Sequence, residues 1–233
     1  MSAGLGDTGF LALPRLRRGG RLLSTDAAPS MVAAARRRAR ELGLEESDEL
    51  GFDVQDAAGL TLADSSVDGV LWRWGVMLVP DPEAAAAEVG RVLRRGSRAA
   101  VAVWADPAAN DWLTAAGRSA LELGLLERPA PDEPGPFRLS DEGRLQAALE
   151  AGGLAVDAVE DVPLTWRSRS LGEWWDVIRD TSRMLTQLLE AVGPDDRERI
   201  RVGAERRLVH YLQPDGSLAV PSVARVALAS RPQ

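Results

Sequence analysis

The 233-residue sequence has no cysteine, no lysine, one histidine and one tyrosine. Without cysteine there are no disulfides, thiol nucleophiles or thiolate metal sites. A lone histidine, His210, argues against a histidine-rich metal centre and against a Ser-His relay, and no metal is expected. The absence of lysine removes Schiff-base amines and the P-loop lysine. No run of about 18 uncharged apolar residues occurs, so no membrane span is expected. The opening MSAGLGDTGF lacks the basic start and apolar stretch of a secretory leader, and a cytoplasmic protein is the default expectation.

What is present is a chain 45% apolar and 27% charged, enough to bury one core or two. Formal charge is -7, from 35 acids against 28 bases, all of them arginine. A net acidic chain lacks the electrostatic footprint of a nucleic-acid binder. Arginine without lysine, amid abundant alanine and glycine, reads as a coding bias rather than as phosphate recognition.

From Gly4 to about Trp104, short β-rich runs alternate with helical ones, the pattern of βαβ units around a parallel sheet. RLLST (21–25), FDV (52–54), VDGVLW (67–72) and SRAAVAVW (97–104) read as strands. Pro29 opens one helix that stops at Gly43, and Asp81-Pro82-Glu83 supplies a cap, a first-turn proline and an acid for another. Ala85, Val89, Val92 and Leu93 recur at helical spacing and should face the sheet. Beyond Trp104 the readings are a helix at 112–126, a proline-rich loop at 128–137, a helix at 141–151 and a strand at 154–166. A helical stretch at 171–212 and a final strand at 217–230 close the chain.

Gly4, Gly6 and Gly9 form GxGxxG ahead of a helical run, a spacing that lets backbone N–H groups approach a ligand. Asp26 follows 22 residues after Gly4, at the end of the next strand, where a carboxylate accepts both hydroxyls of a ribose. The pair points to an adenosine-containing cofactor; a tight turn with a helix-capping aspartate is the plainer alternative.

The following stretches, FDVQDAAGL and VDGVLWRWGVMLVPDPEAAAAEVGRVLRRGSRAAVAVW, resemble class I S-adenosylmethionine (SAM)-dependent methyltransferases, especially the type 11 group of ubiquinone and menaquinone C-methyltransferases. The resemblance covers residues 2–105 well and the remainder loosely. It implies an α/β Rossmann-like sheet in the order 3-2-1-4-5-7-6, helices on both faces, and one domain over 1–233. Residues 1–105 would form the SAM-binding half, and residues 106–233 the substrate half, with a helical lid at about 167–212.

Carried over residue by residue, the resemblance puts Gly4 and Gly6 behind the methionine part of SAM and Asp26 on the ribose. Met31 would lie against adenine, with the Asp56 carboxylate and the Ala57 N–H near its edge. Arg73 would line the methionine end and the substrate mouth. The chain departs from the pattern at its start, because it begins too close to the glycines to include the family's first strand. Strand 1 is therefore expected to be missing or truncated, through either a misassigned start or a degenerate chain. Arg95 and Ser97 replace the usual proline and glycine of a later turn, Pro14 interrupts the first helix, and Ala28 stands at a capping position.

Methyl transfer from a sulfonium needs alignment in a dry pocket, and a base only for weakly acidic acceptors. His210 is a weak candidate for that base. Trp74, Met77, Trp112, Trp175 and Tyr211 are candidates to present apolar surface to a small organic acceptor. Two other functions fit the sequence: an NAD-dependent oxidoreductase, since GxGxxG followed by an acid also suits a dinucleotide, and a non-catalytic methyltransferase-like binding protein. Homo-oligomerisation is left open.

Overall fold

The computed structural model describes residues 1–44 and 46–233 and shows an α/β chain. After the short helix α1 (Asp7–Ala12), strand β1 (Leu22–Asp26), helix α2 (Pro29–Glu41) and strand β2 (Leu50–Val54) form a parallel βαβ unit. Pro29 sits at a first-turn position that needs no N–H partner, and Val32, Ala35 and Ala39 recur on the buried face of α2. Strand β3 (Val67–Arg73), helix α3 (Pro82–Val92) and strand β4 (Leu93–Trp104) repeat the motif. The Asp81 carboxylate caps α3 by accepting the Ala84 N–H at 2.8 Å, and Ala85, Val89 and Val92 are buried.

Helices α4 (Asp111–Glu122) and α5 (Glu142–Ala151) follow, then strand β5 (Ala155–Ser168), helices α6 (Leu171–Thr181), α7 (Arg183–Ala191) and α8 (Pro194–Leu208), and strand β6 (Leu218–Ser230). The stretch expected as a lid over 167–212 is broken. Strand β5 runs on to Ser168, and Ser182 ends α6 and caps α7 through the Leu185 N–H at 3.3 Å. Gly193-Pro194 then starts α8, while His210 and Tyr211 lie in a terminal 3-10 turn.

Strand order is β1-β2 in one sheet and β3-β4-β6-β5 in the other. The Gly96 N–H donates to the Arg231 carbonyl and the Ala105 N–H to the Val223 carbonyl; partners descend along β6 as they ascend along β4, so the closing strand is antiparallel. This is the expected order with the place of strand 1 vacant. No strand among the described residues pairs with both β1 and β3. Instead, Met1–Ala3 run between those edges. The Met1 ammonium donates to the Leu71 carbonyl at 2.9 Å, the Trp72 indole N–H to Ser2 Oγ at 3.1 Å, and the Ala3 N–H to the Thr25 carbonyl at 2.9 Å.

The chain divides into two compact units. The first comprises Met1–Val103, Pro134–Glu160 and Arg225–Gln233. Within it, β1, β2 and α2 close over a small core in which Phe10 meets Phe52 edge-to-face at 6.2 Å, with Leu50, Val32 and Ala35 around them. Trp72, Val89, Leu93, Leu145 and Leu149 are also buried in this unit, where α3 packs on α5. Arg91 on α3 fastens the 60–64 loop through the Leu60 and Leu62 carbonyls and Asp64, and its guanidinium holds the Glu88 carboxyl below the ordinary carboxylate range. The second unit comprises Trp104–Glu133 and Asp161–Ala224. There α4 packs closely on α8, since a Cβ at Gly203 would collide with Ser119. Fully buried Asn110 exchanges hydrogen bonds with both backbone groups of Val223. No helix among the described residues is long and apolar enough to cross a membrane.

A two-stranded sheet with a small core should open more readily than the four-stranded one. Native-state hydrogen exchange is expected to give amides of β1 and β2 at least about tenfold lower protection than those of β3 and β4. Equal protection would show that the two sheets open together.

Candidate functional site

The glycine turn and Asp26 are joined directly. Gly4 and Gly6 both have positive φ, 53° and 88°, which favours glycine at each. At Gly6 a Cβ would also strike the Phe10 ring, whereas at Gly4 it would meet nothing within 4 Å. One Asp26 oxygen accepts the Gly4 N–H at 2.9 Å, and the other accepts the Ala28 N–H at 3.0 Å. Both expected roles of Asp26 are thus compatible: it ties the turn to the start of α2, and each oxygen keeps a further lone pair for a ligand. Helix α1 is only six residues long, because Pro14 converts its continuation into a 3-10 turn.

The end of β1 is open and apolar. Val54 is the register partner of Asp26, and the Gln55 N–H donates to the Asp26 carbonyl at 3.0 Å. Leu5, Met31 and Val54 are 46%, 43% and 45% exposed, so three apolar side chains from the glycine turn, α2 and β2 remain uncovered at this end of the sheet. The next turn brings Asp56, one oxygen of which accepts the Ala58 N–H at 3.0 Å, and buried Ala57, whose N–H has no partner among the described residues. A carboxylate with spare lone pairs, uncovered apolar surface and an unpaired N–H form a donor set suited to an adenosine moiety.

At the end of β3, Arg73 is exposed and its guanidinium lies over the Trp74 ring at 4.3 Å. Trp74 has φ 57°, a left-handed conformation that costs a bulky residue about 1–3 kcal/mol. It is held there by its N–H, which donates to the Ala102 carbonyl at 2.7 Å. Met77 is buried in a 3-10 turn at Val76–Leu78.

The other acceptor candidates belong to the second unit, whereas Trp74 and Met77 belong to the first. Trp112 stacks on Trp166 at 5.0 Å and meets Trp104 edge-on at 5.5 Å. The Trp112 carbonyl accepts the indole N–H of Trp174, while its own indole N–H is buried without a partner among the described residues. Half-buried Trp175 packs against Trp174. The Tyr211 hydroxyl donates to Asp111 at 2.9 Å, and Arg118 approaches the other Asp111 oxygen at 3.1 Å. Burial, then the adjacent Asp111, holds the Tyr211 phenol above its ordinary range. His210 is exposed, with its ring against Tyr211. Among the described residues no group of acids and histidine could hold a metal. Sequence patterns do not mark Asp111, whereas the GxG spacer position marks Leu5 and the last strand residue before an acid-bearing turn marks Val54.

Residues 1–101 match the family model described as a methyltransferase domain. A Mycobacterium tuberculosis protein, Rv1405c, is 35% identical over 97 residues, covering 42% of this chain and 34% of its own. The ubiquinone/menaquinone biosynthesis C-methyltransferase UbiE of Acidiphilium cryptum is 39% identical over 94 residues, 40% of this chain and 37% of its own. The matched stretch thus spans about a third of the length of these relatives. Over the whole chain, the fold is similar to a Bacillus halodurans protein described as a methyltransferase (TM-score 0.62, 13% identity, 100% of this chain and 90% of the other). It is also similar to the [4+2]-cyclase SpnF (TM-score 0.58, 18% identity, 99% and 72%).

Two outcomes follow from the geometry. Asp26→Ala strands the Gly4 and Ala28 N–H groups and should lower stability by about 1–3 kcal/mol in urea denaturation, with Asp26→Asn intermediate. Tyr211 is the sole tyrosine, so phenolate absorbance reports it alone. Its titration midpoint is expected above 10 and should fall toward 10 in Asp111→Asn, which removes the charged acceptor. A phenol raised in the folded state contributes stability below its unfolded pKa. That contribution is lost as pH climbs through the folded value, so the contact should weaken only in alkali.

Proposed function

We propose that this chain transfers a methyl group from SAM to a small organic acceptor, a reading supported by the match of residues 1–101 to a methyltransferase domain and by the likeness to UbiE. The observation that supports this most directly is the Gly4–Asp26 hydrogen bond, which joins the turn and the carboxylate on which the reading depends. The donor supplies a methyl group already activated on a sulfonium. The residues would hold it as follows. Asp26 accepts the ribose hydroxyls with its spare lone pairs, Met31 and Val54 flank the base, and Asp56 with the Ala57 N–H reads the edge of the adenine. Gly4 and Gly6 leave the amino-acid end room to pass, with Arg73 beyond them.

Orientation and exclusion of water carry the chemistry, so no protein base is obligatory. For the acceptor we favour a small aromatic or quinol-type molecule, in keeping with the quinone-biosynthesis relative and with the tryptophan cluster of the second unit. In this reading residues 1–233 act as one cytoplasmic enzyme, with 106–233 supplying the acceptor half. A second reading, a chain that binds the nucleoside without turnover, is favoured by the division of the strands into two sheets. A shared fold does not fix the reaction, as a cyclase of the same fold illustrates.

Calorimetric titration with SAM and with NAD, followed by labelled-methyl transfer over phenols, quinols and amines, separates these functions. Binding of SAM but not NAD, weakened about tenfold or more by Asp26→Asn, together with transfer to one acceptor class, is the expected result. Binding without transfer selects the non-catalytic reading, and NAD binding without SAM binding overturns both.

A further inference from the structure

Gln55 is a buried polar residue, 5% exposed, where β2 ends and the Asp56–Gly59 turn begins. Its side chain belongs to no part of the donor set. Asp53 and Gln55 stand two residues apart on an extended run and so share a face. The Gln55 amide nitrogen donates to one Asp53 carboxylate oxygen and to Thr61 Oγ, each at 2.6 Å. The amide carbonyl accepts the Thr61 N–H at 2.8 Å. Three of the four hydrogen bonds open to a primary amide are therefore formed, and turning the amide over would set its oxygen against the Asp53 carboxylate. The Gln55 backbone N–H donates to the Asp26 carbonyl at 3.0 Å. One residue thus joins the end of β1, the end of β2 and the chain returning from the turn.

The far side of the turn is fastened by α3. The N–H of buried Leu60 donates to Glu88 at 2.8 Å, and its carbonyl accepts from Arg91 at 2.8 Å. Between the two ties, one Asp56 oxygen accepts the Ala58 N–H at 3.0 Å, and the Ala57 N–H has no partner among the described residues. An acceptor beside a donor matches a purine that carries an amino group next to an unprotonated ring nitrogen. The 6-oxo counterpart presents the reverse order, donor against donor and acceptor against acceptor, and so leaves polar groups unpaired. That selection holds only while the turn keeps its shape. Of the two ties, the Gln55 amide is the one that borders Asp56 directly.

The geometry points to Gln55 as a positioning residue for base selection: bonded to Asp53 and Thr61, it holds the turn so that Asp56 and the Ala57 N–H accept a 6-aminopurine and reject a 6-oxopurine. This rests on the donor reading above and adds a buried amide that stands behind the ligand groups.

The test is calorimetric titration of the full chain with S-adenosylhomocysteine and with S-inosylhomocysteine, which differ only at the base edge. The wild type is expected to bind the adenosyl compound about tenfold or more tightly. Gln55→Glu keeps the shape but sets a second carboxylate against Asp53, and should bring the two affinities within about twofold of each other. Adding Asp53→Asn reverses the polarity of that contact, because the new amide donates where Asp53 accepted, and should restore most of the preference. Thr61→Val removes the hydroxyl and should reduce the preference about threefold or more, whereas Thr61→Ser should keep it; this pair decides the matter should Gln55→Glu fail to fold. A merely structural Gln55 would lower thermal stability and weaken both compounds alike, leaving their ratio unmoved. An unchanged ratio in Gln55→Glu or in Thr61→Val, or a wild type that binds both compounds equally, overturns the inference alone. Failure of both compounds to bind the wild type overturns the donor reading and the inference with it.

Discussion

One carboxylate organises the glycine-turn end of the first unit. Asp26 stands at the end of β1 and accepts backbone N–H groups from both directions of the chain, Gly4 before it and Ala28 after it. Without it, a turn with two left-handed glycines and a helix whose N-cap is an alanine would each leave a donor unsatisfied. The same anchoring sets the position of what surrounds it. Val54 is fixed opposite by the β1–β2 register, Met31 by the first turn of α2, and Leu5 by the turn itself. The uncovered apolar surface thus lies around one carboxylate that is held by two backbone N–H groups.

Much of the fold was legible in the sequence because it depends on local rules. The Pro29 and Asp81-Pro82 helix starts, the alanine stripes and the closing strand lie where the pattern puts them. Strand β2 begins at Leu50 rather than Phe52, since Gly51 reads as a turn residue and its strand conformation comes from pairing with Leu23. The stretch expected to be helical is divided into three helices, and the break at Ser182 has no signal in the sequence, because only the folded chain shows its hydroxyl capping α7. In the site, the Gly4–Asp26 pair was readable from spacing alone. The left-handed Trp74 was not, because no local rule assigns that backbone to a tryptophan; a ladder bond to Ala102 imposes it. Tyr211–Asp111 joins residues a hundred positions apart and leaves no short-range trace.

The division of the strands has its own physical signature. A parallel strand is normally covered on both sides, yet Leu71, near the end of β3, is 41% exposed. Three residues, Met1–Ala3, supply hydrogen bonds between β1 and β3 at one end of the space, where a full strand would supply a row of them along its length. The small core of Phe10, Phe52 and Leu50 correspondingly takes in no residue of β3 or β4.

On the proposed function, that separation would give a bound donor a mechanical role. Asp26, Met31 and Val54 ride on the two-stranded sheet, whereas Arg73 rides on the four-stranded one. A ligand gripped by both would act as a clasp across the seam, and its affinity would reappear as resistance of the smaller lobe to local melting. Occupancy and rigidity of this lobe would then be two readings of the same equilibrium.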